Sequence, residues 1–116
     1  MFIVDANEDI YHIRGDTGYL TIFVTDSEGL EVSYYEAVLS VKKKLTDRTF
    51  LFQKKFANGE CFIDSEDTAD LKGGSYYYDI RITKTVIWDG VQRQVVETIG
   101  PRNYFLLNNV TTGVPS

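Results

Sequence analysis

The sequence predicts an all-β domain built as an antiparallel β-sandwich of about seven to nine strands. Three observations support this prediction. From Tyr76 to Trp88 every second residue is apolar except Lys84, which is the period of a strand with one buried face. Turn residues recur about every 8 to 12 positions, a spacing typical of sandwiches. The aromatic residues are eight tyrosines and seven phenylalanines with one tryptophan, and such residues favour strands.

Composition indicates a single domain that binds neither nucleic acid nor a membrane. The chain has 116 residues and a net charge of −5 at pH 7. This length suits one domain over residues 1–116, with its core at residues 9–108 and a tail at residues 109–116. Negative charge disfavours the phosphate backbone of nucleic acid. No run approaches the roughly 20 apolar residues of a membrane span, and no signal peptide is visible, so we expect synthesis in the cytoplasm.

The first half of the chain predicts strands separated by glycine-containing turns. Weak alternation at residues 9–14 indicates a first strand, and a turn at residues 15–18 leads into a regular strand at Tyr19–Thr25. Another turn follows at residues 26–29. The next strand spans Ala37–Lys43, with alternate side chains on its two faces: Ala37, Leu39 and Val41 point inward, and Val38, Ser40 and Lys42 point outward.

Two further strands are predicted to pair as a hairpin. One spans Thr49–Phe56, and the Asn-Gly turn at residues 58–59 joins it to the other at residues 61–63. Lysine and arginine concentrate between residues 42 and 55, which is typical of a solvated sheet edge protected from pairing with other chains.

A short helical turn is predicted near residues 65–71. Carboxylates at the start of such a turn cap its free N–H groups, and we prefer this interpretation of the acidic residues there. Calcium binding by the segment Asp64–Asp70 is the alternative, since Ca²⁺ takes about six to eight oxygen ligands. The spacing of these acids matches no EF-hand loop. The acidic residues are Asp64, Glu66, Asp67 and Asp70.

Tyr76 and Tyr78 open the long strand directly after this helical turn. In immunoglobulin-like sandwiches a tyrosine at such a place lies where the chain crosses between the sheets, and its hydroxyl bonds to backbone a few residues upstream. We therefore expect an immunoglobulin-like sandwich in which Tyr76 or Tyr78 is a structural anchor.

The far end of the long strand predicts a hairpin with a functional surface. If Asp89-Gly90 is a two-residue turn, Val86 lies opposite Arg93, whereas a shift of one residue pairs Val86 with Gln94. Neither register gives both strands a clean apolar face, so the hairpin either projects past the core or folds back on the sandwich. A projecting apolar hairpin is a candidate protein contact. The candidate contact residues are Val86, Ile87, Trp88, Val91, Val95 and Val96.

The last third of the chain predicts two separate strands, Val91–Ile99 and Tyr104–Leu107. Gly100-Pro101 stands between them, and a proline removes a backbone donor from a sheet. We therefore expect strand pairing to be interrupted at these two residues.

The sequence offers little catalytic or metal-binding chemistry. A hydrolytic triad needs a histidine beside a nucleophile, and the only histidine, His12, lies in a strand-like segment. A zinc site needs about four Cys or His ligands, and the chain has only His12 and Cys61. Gly73-Gly74 precedes a strand, whereas phosphate-binding loops open a helix. We expect a protein that is not an enzyme, with no catalytic residue, no cofactor and no metal.

Six short segments occur in a recognisable order: Arg14–Gly18, Asp26–Gly29, Ala37–Lys42, Phe50–Phe56, Asp67–Leu71 and Gly74–Ile80. This order resembles the immunoglobulin-like domains of tailed-phage and prophage structural proteins, notably the N-terminal modules of baseplate upper proteins. The resemblance covers roughly residues 12–111. In those domains a Gly-Asp-Thr start, an Asp-Thr-x-x-Leu crossover and a Gly-x-Tyr-x-Tyr-Asp strand precede a hairpin. Trp88 departs from the pattern, because the tip of that hairpin is usually polar.

The resemblance implies a non-enzymatic building block of a virion tail or baseplate, made in the cytoplasm and then incorporated into the virion. Its implied partners are other tail proteins or further copies of itself. The alternative is a carbohydrate- or receptor-binding adhesion module of a bacterial surface protein. That function needs exposed aromatic side chains on a concave face, for which Tyr34, Tyr35 and Tyr77 are candidates.

Overall fold

The structure is a computed structural model that describes residues 1–22 and 36–108. Its elements in chain order are β1 (Phe2–Val4), β2 (Ile10–Ile13), β3 (Gly18–Thr21), β4 (Glu36–Lys42), β5 (Phe52–Lys55), β6 (Glu60–Ile63), α1 (Ser65–Ala69), β7 (Gly74–Trp88) and β8 (Val91–Leu107). Several predictions lie outside the described residues: the end of the strand Tyr19–Thr25, the turn at residues 26–29, the tail at residues 109–116, and Tyr34 and Tyr35.

The strands form two sheets. Six of them form one sheet in the order β1-β2-β8-β7-β4-β5, and β3 pairs with β6 in the other. The order β8-β7-β4-β5 is that of strands G, F, C and C′ in a variable-type immunoglobulin domain, with β3 and β6 in the places of strands B and E. The predicted all-β, sandwich-like fold is confirmed. One pairing, β2 with β8, is parallel rather than antiparallel.

Side chains from both sheets meet in one hydrophobic core. The small sheet contributes Cys61 and Ile63, and the six-stranded sheet contributes most of the rest: Ile10, Ala37, Leu39, Val41, Tyr76, Tyr78, Ile80, Ile82, Tyr104 and Leu106. The predicted inward side chains of β4 are therefore buried. Ser40 was predicted to point outward, and it does so but is also buried. Its cross-strand neighbour Gln53 donates a hydrogen bond from Nε2 to the Ser40 hydroxyl at 2.9 Å.

The predicted helical turn is present as α1. The backbone N–H of Asp64, the N-cap residue, donates a hydrogen bond to Asp67 Oδ2 at 2.8 Å. The Asp67 carboxylate thus accepts a backbone donor at the N-terminus of the helix, as in a capping box. Lys54 Nζ lies 2.8 Å from Asp67 and 3.1 Å from Asp64 and connects β5 to this turn. The hydrogen bond to Asp67 is the main reason that the pKa of Lys54 is raised. These contacts favour the capping interpretation of the acidic segment.

Apart from shifts of one or two residues at strand ends, the strands differ from the predictions in three places. β1 was not predicted, because three apolar residues are too short to show a period. β5 begins at Phe52 rather than Thr49, because the chain bends at residues 48, 49 and 51 between the turn at residues 44–47 and the strand. β8 runs without a break through Gly100.

A β-bulge explains the continuity of β8. Tyr78 pairs with Arg102 and Ile80 with Ile99, so two residues of β8 lie opposite one residue of β7. Gly100 adopts a φ of +105° there, and Pro101 takes the other bulge position, where no ladder donor is required. The predicted interruption at Gly100-Pro101 is therefore wrong: the bulge absorbs both residues and pairing continues.

The described residues form an elongated body of 63 × 28 × 23 Å with a radius of gyration of 16.3 Å. A compact domain of this size has a radius of gyration of roughly 13 Å. The elongation follows from β7 and β8, which have 15 and 17 residues, because an extended strand rises about 3.3 Å per residue.

Candidate functional site

The tip of the β7–β8 hairpin is a two-residue turn at Asp89-Gly90. Both residues have positive φ, 53° and 72°, which is the geometry that joins antiparallel strands with the correct twist. Val86 lies opposite Arg93, and Trp88 lies opposite Val91. The predicted two-residue register is therefore the observed one, and the shifted register with Gln94 opposite Val86 is not.

The register divides the candidate contact residues between the two faces of the hairpin, because directly paired residues project from the same side. The face that continues from the core carries four of them: Val86, Trp88, Val91 and Val95. Ile87 and Val96 lie on the opposite face among threonines and glutamines. We call the outermost apolar residues, Ile87, Trp88 and Val91, the hairpin tip.

The hairpin leaves the core after Ile82, which is the last buried residue of β7. Val86 and Val95 are half-buried. Ile87 and Trp88 are 71% and 69% exposed. The structure thus places the candidate residues on a projecting hairpin rather than on one folded back against the sandwich.

An ion pair stands at the base of the projecting part. Lys84 Nζ lies 2.9 Å from Glu97 Oε1, and only 18% of the lysine side chain is exposed. Val95 lies directly opposite Lys84, so the aliphatic part of the lysine side chain extends beside an apolar residue while its ammonium group reaches Glu97. The polar residue in the otherwise apolar alternation of β7 is therefore paired across the hairpin.

Two tyrosines fix the root of the hairpin. The Tyr76 hydroxyl donates to the backbone carbonyl of Lys72, four residues upstream, at 2.6 Å, as a sheet-crossing tyrosine does in immunoglobulin-like sandwiches. The Tyr78 hydroxyl donates to the backbone carbonyl of Glu8. Burial raises the pKa of Tyr78 to about 12. Tyr76 and Tyr78 therefore anchor two different segments to one strand.

The loop that Tyr78 holds was not identified from the sequence. Asp5 Oδ1 accepts the N–H groups of Asn7 and Asp9, both at 2.9 Å, which closes residues 5–9 into a compact turn. Glu8 in this turn has a φ of +63°. Its carboxylate oxygen Oε2 lies 2.9 Å from Arg102 Nε. The alternating Asp and Asn residues are a turn signal, but nothing in the sequence shows that the turn packs against the bulge.

An apolar groove lies beside this loop, between β3 and the inner face of the large sheet. Its volume is about 480 Å³. Its walls and floor are mainly aliphatic: Leu20, Ile22, Tyr78, Ile80, Ile82 and Ile99. Val4, Glu8 and Thr21 also line it. We call this feature the β3 groove; sequence reasoning missed it, because its two walls are distant in the chain.

A polar groove lies on the outer face of the large sheet, with a volume of about 670 Å³. Lys42 and Asp79 line it and also line a smaller cavity of about 200 Å³ that contains Tyr77. Lys42 Nζ lies 5.2 Å from the centre of the Phe50 ring. Of the three tyrosines predicted for sugar binding, Tyr77 therefore lies at a concave surface, while the other two lie outside the described residues.

His12 is a buried structural residue. Its Nε2 lies 2.7 Å from the carbonyl of Asp16 and its Nδ1 lies 2.6 Å from the hydroxyl of Tyr104. A carbonyl only accepts, so Nε2 carries the proton and Nδ1 accepts from Tyr104. Burial lowers the pKa of His12. Both ring nitrogens are thus committed to the fold.

Cys61 is buried in the core, and burial raises the pKa of its thiol to about 11. Within residues 1–22 and 36–108, no group of three or more His, Cys, Asp or Glu side chains is arranged to hold a metal ion. Over the same residues, no helix has the length and apolar character needed to cross a membrane.

Comparison of the chain with protein-family models, with curated proteins and with solved structures finds no match. Functional inference therefore depends on the surfaces described above and on the resemblance stated for the sequence.

Proposed function

We propose that this domain is a non-enzymatic assembly module of a phage or prophage tail or baseplate, and that it works through protein–protein contacts made by the β7–β8 hairpin. The observation that carries the proposal is the exposure of Trp88 and Ile87 at the end of a hairpin whose root is anchored in the core. Its partners are other virion proteins or further copies of the chain.

The energy available at the tip supports a contact role. An aromatic side chain buries about 150–250 Å², and apolar burial contributes about 25 cal/mol per Å². With 69% of Trp88 exposed, covering its free part contributes about 3–4 kcal/mol before the costs of association. Tryptophan is also among the residues most enriched at the energetic centres of interfaces.

The hairpin is well suited to present that side chain to a partner. An isolated hairpin is only marginally stable in water, but this one continues from a core strand and is fixed at its root by Tyr76 and Tyr78. A surface that is ordered before binding loses less conformational entropy when it binds.

The proposal is tested by replacing Trp88 with glutamate and measuring the assembly state by light scattering. Thr85→Glu is the matched control, because Thr85 is an exposed hairpin residue on the opposite face. We expect Trp88→Glu to weaken assembly, alone or with a candidate tail partner, and Thr85→Glu to leave it close to that of the native chain. Unchanged assembly in Trp88→Glu contradicts the proposal.

Carbohydrate or receptor binding is the second candidate, and the position of Tyr77 favours it. Tyr77 adjoins the outer-face groove, whose polar lining includes Ser40, Gln53 and Arg81, and such groups hydrogen-bond to hydroxyl-rich ligands. Glycan-array binding by the native domain that is lost in Tyr77→Ala supports this function. Absence of binding across the array counts against it.

A further inference from the structure

We propose that the hairpin tip of one molecule inserts into the β3 groove of a second copy of the same chain. This inference rests on the proposed assembly function and names the partner. It joins the two apolar surfaces described above, one convex and one concave, in a single contact.

The β3 groove suits an apolar occupant. Its floor is formed by Ile80 and Ile82, and Leu20 and Ile22 line it from the side of β3. Binding sites are typically concave and mostly apolar with a few polar groups at their edges. Here the polar groups belong to Glu8 and Thr21.

The hairpin tip supplies a matching insert. Trp88 and Val91 form the last cross-strand pair before the turn, with Ile87 beside them in the chain. Trp88 and Val91 remain a ladder pair when their side chains are buried, so insertion of the tip breaks no pairing between β7 and β8.

The groove of the same molecule is beyond the reach of its own tip. Ile82 is part of the groove floor, and Trp88 lies six residues further along the same continuous strand. At about 3.3 Å per residue, this separation is about 20 Å. The tip therefore reaches a β3 groove only in another molecule.

Charge favours the same pairing. Arg93 lies opposite Val86 on the face that carries Trp88, and it forms no ion pair with another described residue. The groove is bordered by the acidic loop at residues 5–9, in which Glu8 is paired with Arg102, while Asp5 and Asp9 form no ion pair with another described residue. An inserted hairpin brings this unpaired cation towards that acidic loop.

Because the tip and the groove are different surfaces, the contact is heterologous. Each molecule keeps a free tip at one end and a free groove at the other, so assembly continues until a ring closes or a filament grows. A symmetric dimer through two hairpins would instead use the same surface on both molecules.

A mixing experiment tests this directly. The variant Trp88→Glu disables the hairpin tip and leaves the β3 groove intact. The variants Thr21→Arg and Val4→Arg block the groove and leave the tip intact. Thr21 and Val4 are both exposed. Circular dichroism and thermal unfolding confirm that each variant is folded. By light scattering, we expect the native chain to form species larger than dimers as its concentration rises. Each variant alone should be monomeric. A one-to-one mixture of a tip variant with a groove variant should form a heterodimer.

Three results overturn the inference: a native chain that stays monomeric, groove variants that still associate, or a mixture that stays monomeric. Either of the groove variants, Thr21→Arg or Val4→Arg, is enough for the mixing experiment, so the test can still be made if one of them misfolds. If Trp88→Glu abolishes binding to a different tail protein while the mixture stays monomeric, the proposed function stands and this inference fails. If Trp88→Glu changes no association at all, the proposed function fails as well.

Discussion

The hydroxyl of Tyr78 donates a hydrogen bond to the backbone carbonyl of Glu8, 70 residues away in the chain. This bond joins the N-terminal loop to β7 at the β-bulge, where β8 takes up Gly100 and Pro101. The hairpin that carries Trp88 starts from this junction. The rigidity of the proposed contact surface therefore depends on a tyrosine some ten residues from the tip.

Removal of the Tyr78 hydroxyl tests this junction. We expect Tyr78→Phe to lower the free energy of unfolding by about 1–3 kcal/mol, because the carbonyl of Glu8 loses its donor in a partly buried setting. Urea denaturation measures the change. Tyr77→Phe is the control, since its hydroxyl forms no hydrogen bond with any residue in the described ranges 1–22 and 36–108, and we expect a loss of less than about 0.5 kcal/mol there. Equal losses in the two variants contradict the assigned role of Tyr78.

Gly100 provides a test of the bulge. Its φ is +105°, and a Cβ added there would lie 3.0 Å from the carbonyl oxygen of Tyr78. We expect Gly100→Ala to cost about 1–3 kcal/mol of stability in thermal or chemical unfolding. Gly15→Ala separates the two causes, because Gly15 also has positive φ but its added Cβ meets no atom within 4 Å. A loss at Gly15 as large as that at Gly100 would show that crowding at the bulge contributes nothing.

The buried His12 predicts how stability depends on pH. Its pKa is lowered in the folded state by burial, so the unfolded chain binds a proton more readily than the folded one. Stability from this residue is therefore complete above the unfolded pKa of about 6.5 and falls as the pH drops below that value towards the folded pKa.

The free energy of unfolding, measured from about pH 7.5 to about pH 5, checks this pH dependence, because the range brackets the unfolded histidine pKa of about 6.5. We expect the native chain to lose stability more steeply than His12→Gln, which has no group that titrates at this position. NMR titration of the imidazole gives the folded pKa independently. A folded pKa above that of the unfolded chain reverses the predicted sign.

Cys61 predicts selective chemical protection. Burial raises the pKa of its thiol to about 11, so at pH 8 the folded protein holds little thiolate and little accessible sulfur. We expect a thiol reagent to react slowly with the native chain and rapidly after denaturation. Rapid reaction under native conditions would show that β6 opens readily.

Local patterns explain how much of this fold could be predicted. The alternation from Tyr76 to Ile82 is a signal carried by neighbouring residues, and the buried face of β7 follows from it. The Asp89-Gly90 turn gave the observed hairpin register as one of two alternatives, and only the structure decides between them. The bulge was missed because its cause, the fit of Gly100 and Pro101 opposite Asp79, lies in the partner strand. In the sequence alone, a proline predicts the end of a strand. Only the strand pairing shows that the sheet needs no backbone N–H donor at Pro101.

The candidate surfaces divide in the same way. The apolar residues of the hairpin lie within residues 86–96 and were found as a group, although their division between two faces depends on the register. The β3 groove combines Leu20 with Ile82 and Ile99, residues brought together only by the packing of two sheets. Long-range packing of this kind has no local signature.

Trp88 is the only tryptophan in the chain, so its fluorescence reports on the hairpin tip without a label. The most direct test follows its emission and its quenching by acrylamide while light scattering records association, either with rising concentration or with an added tail partner. We predict a solvent-exposed spectrum for the free monomer, and a blue shift with reduced quenching that parallel assembly. Assembly that leaves Trp88 as exposed and as quenchable as in the monomer would contradict the claim that the hairpin tip is the contact surface.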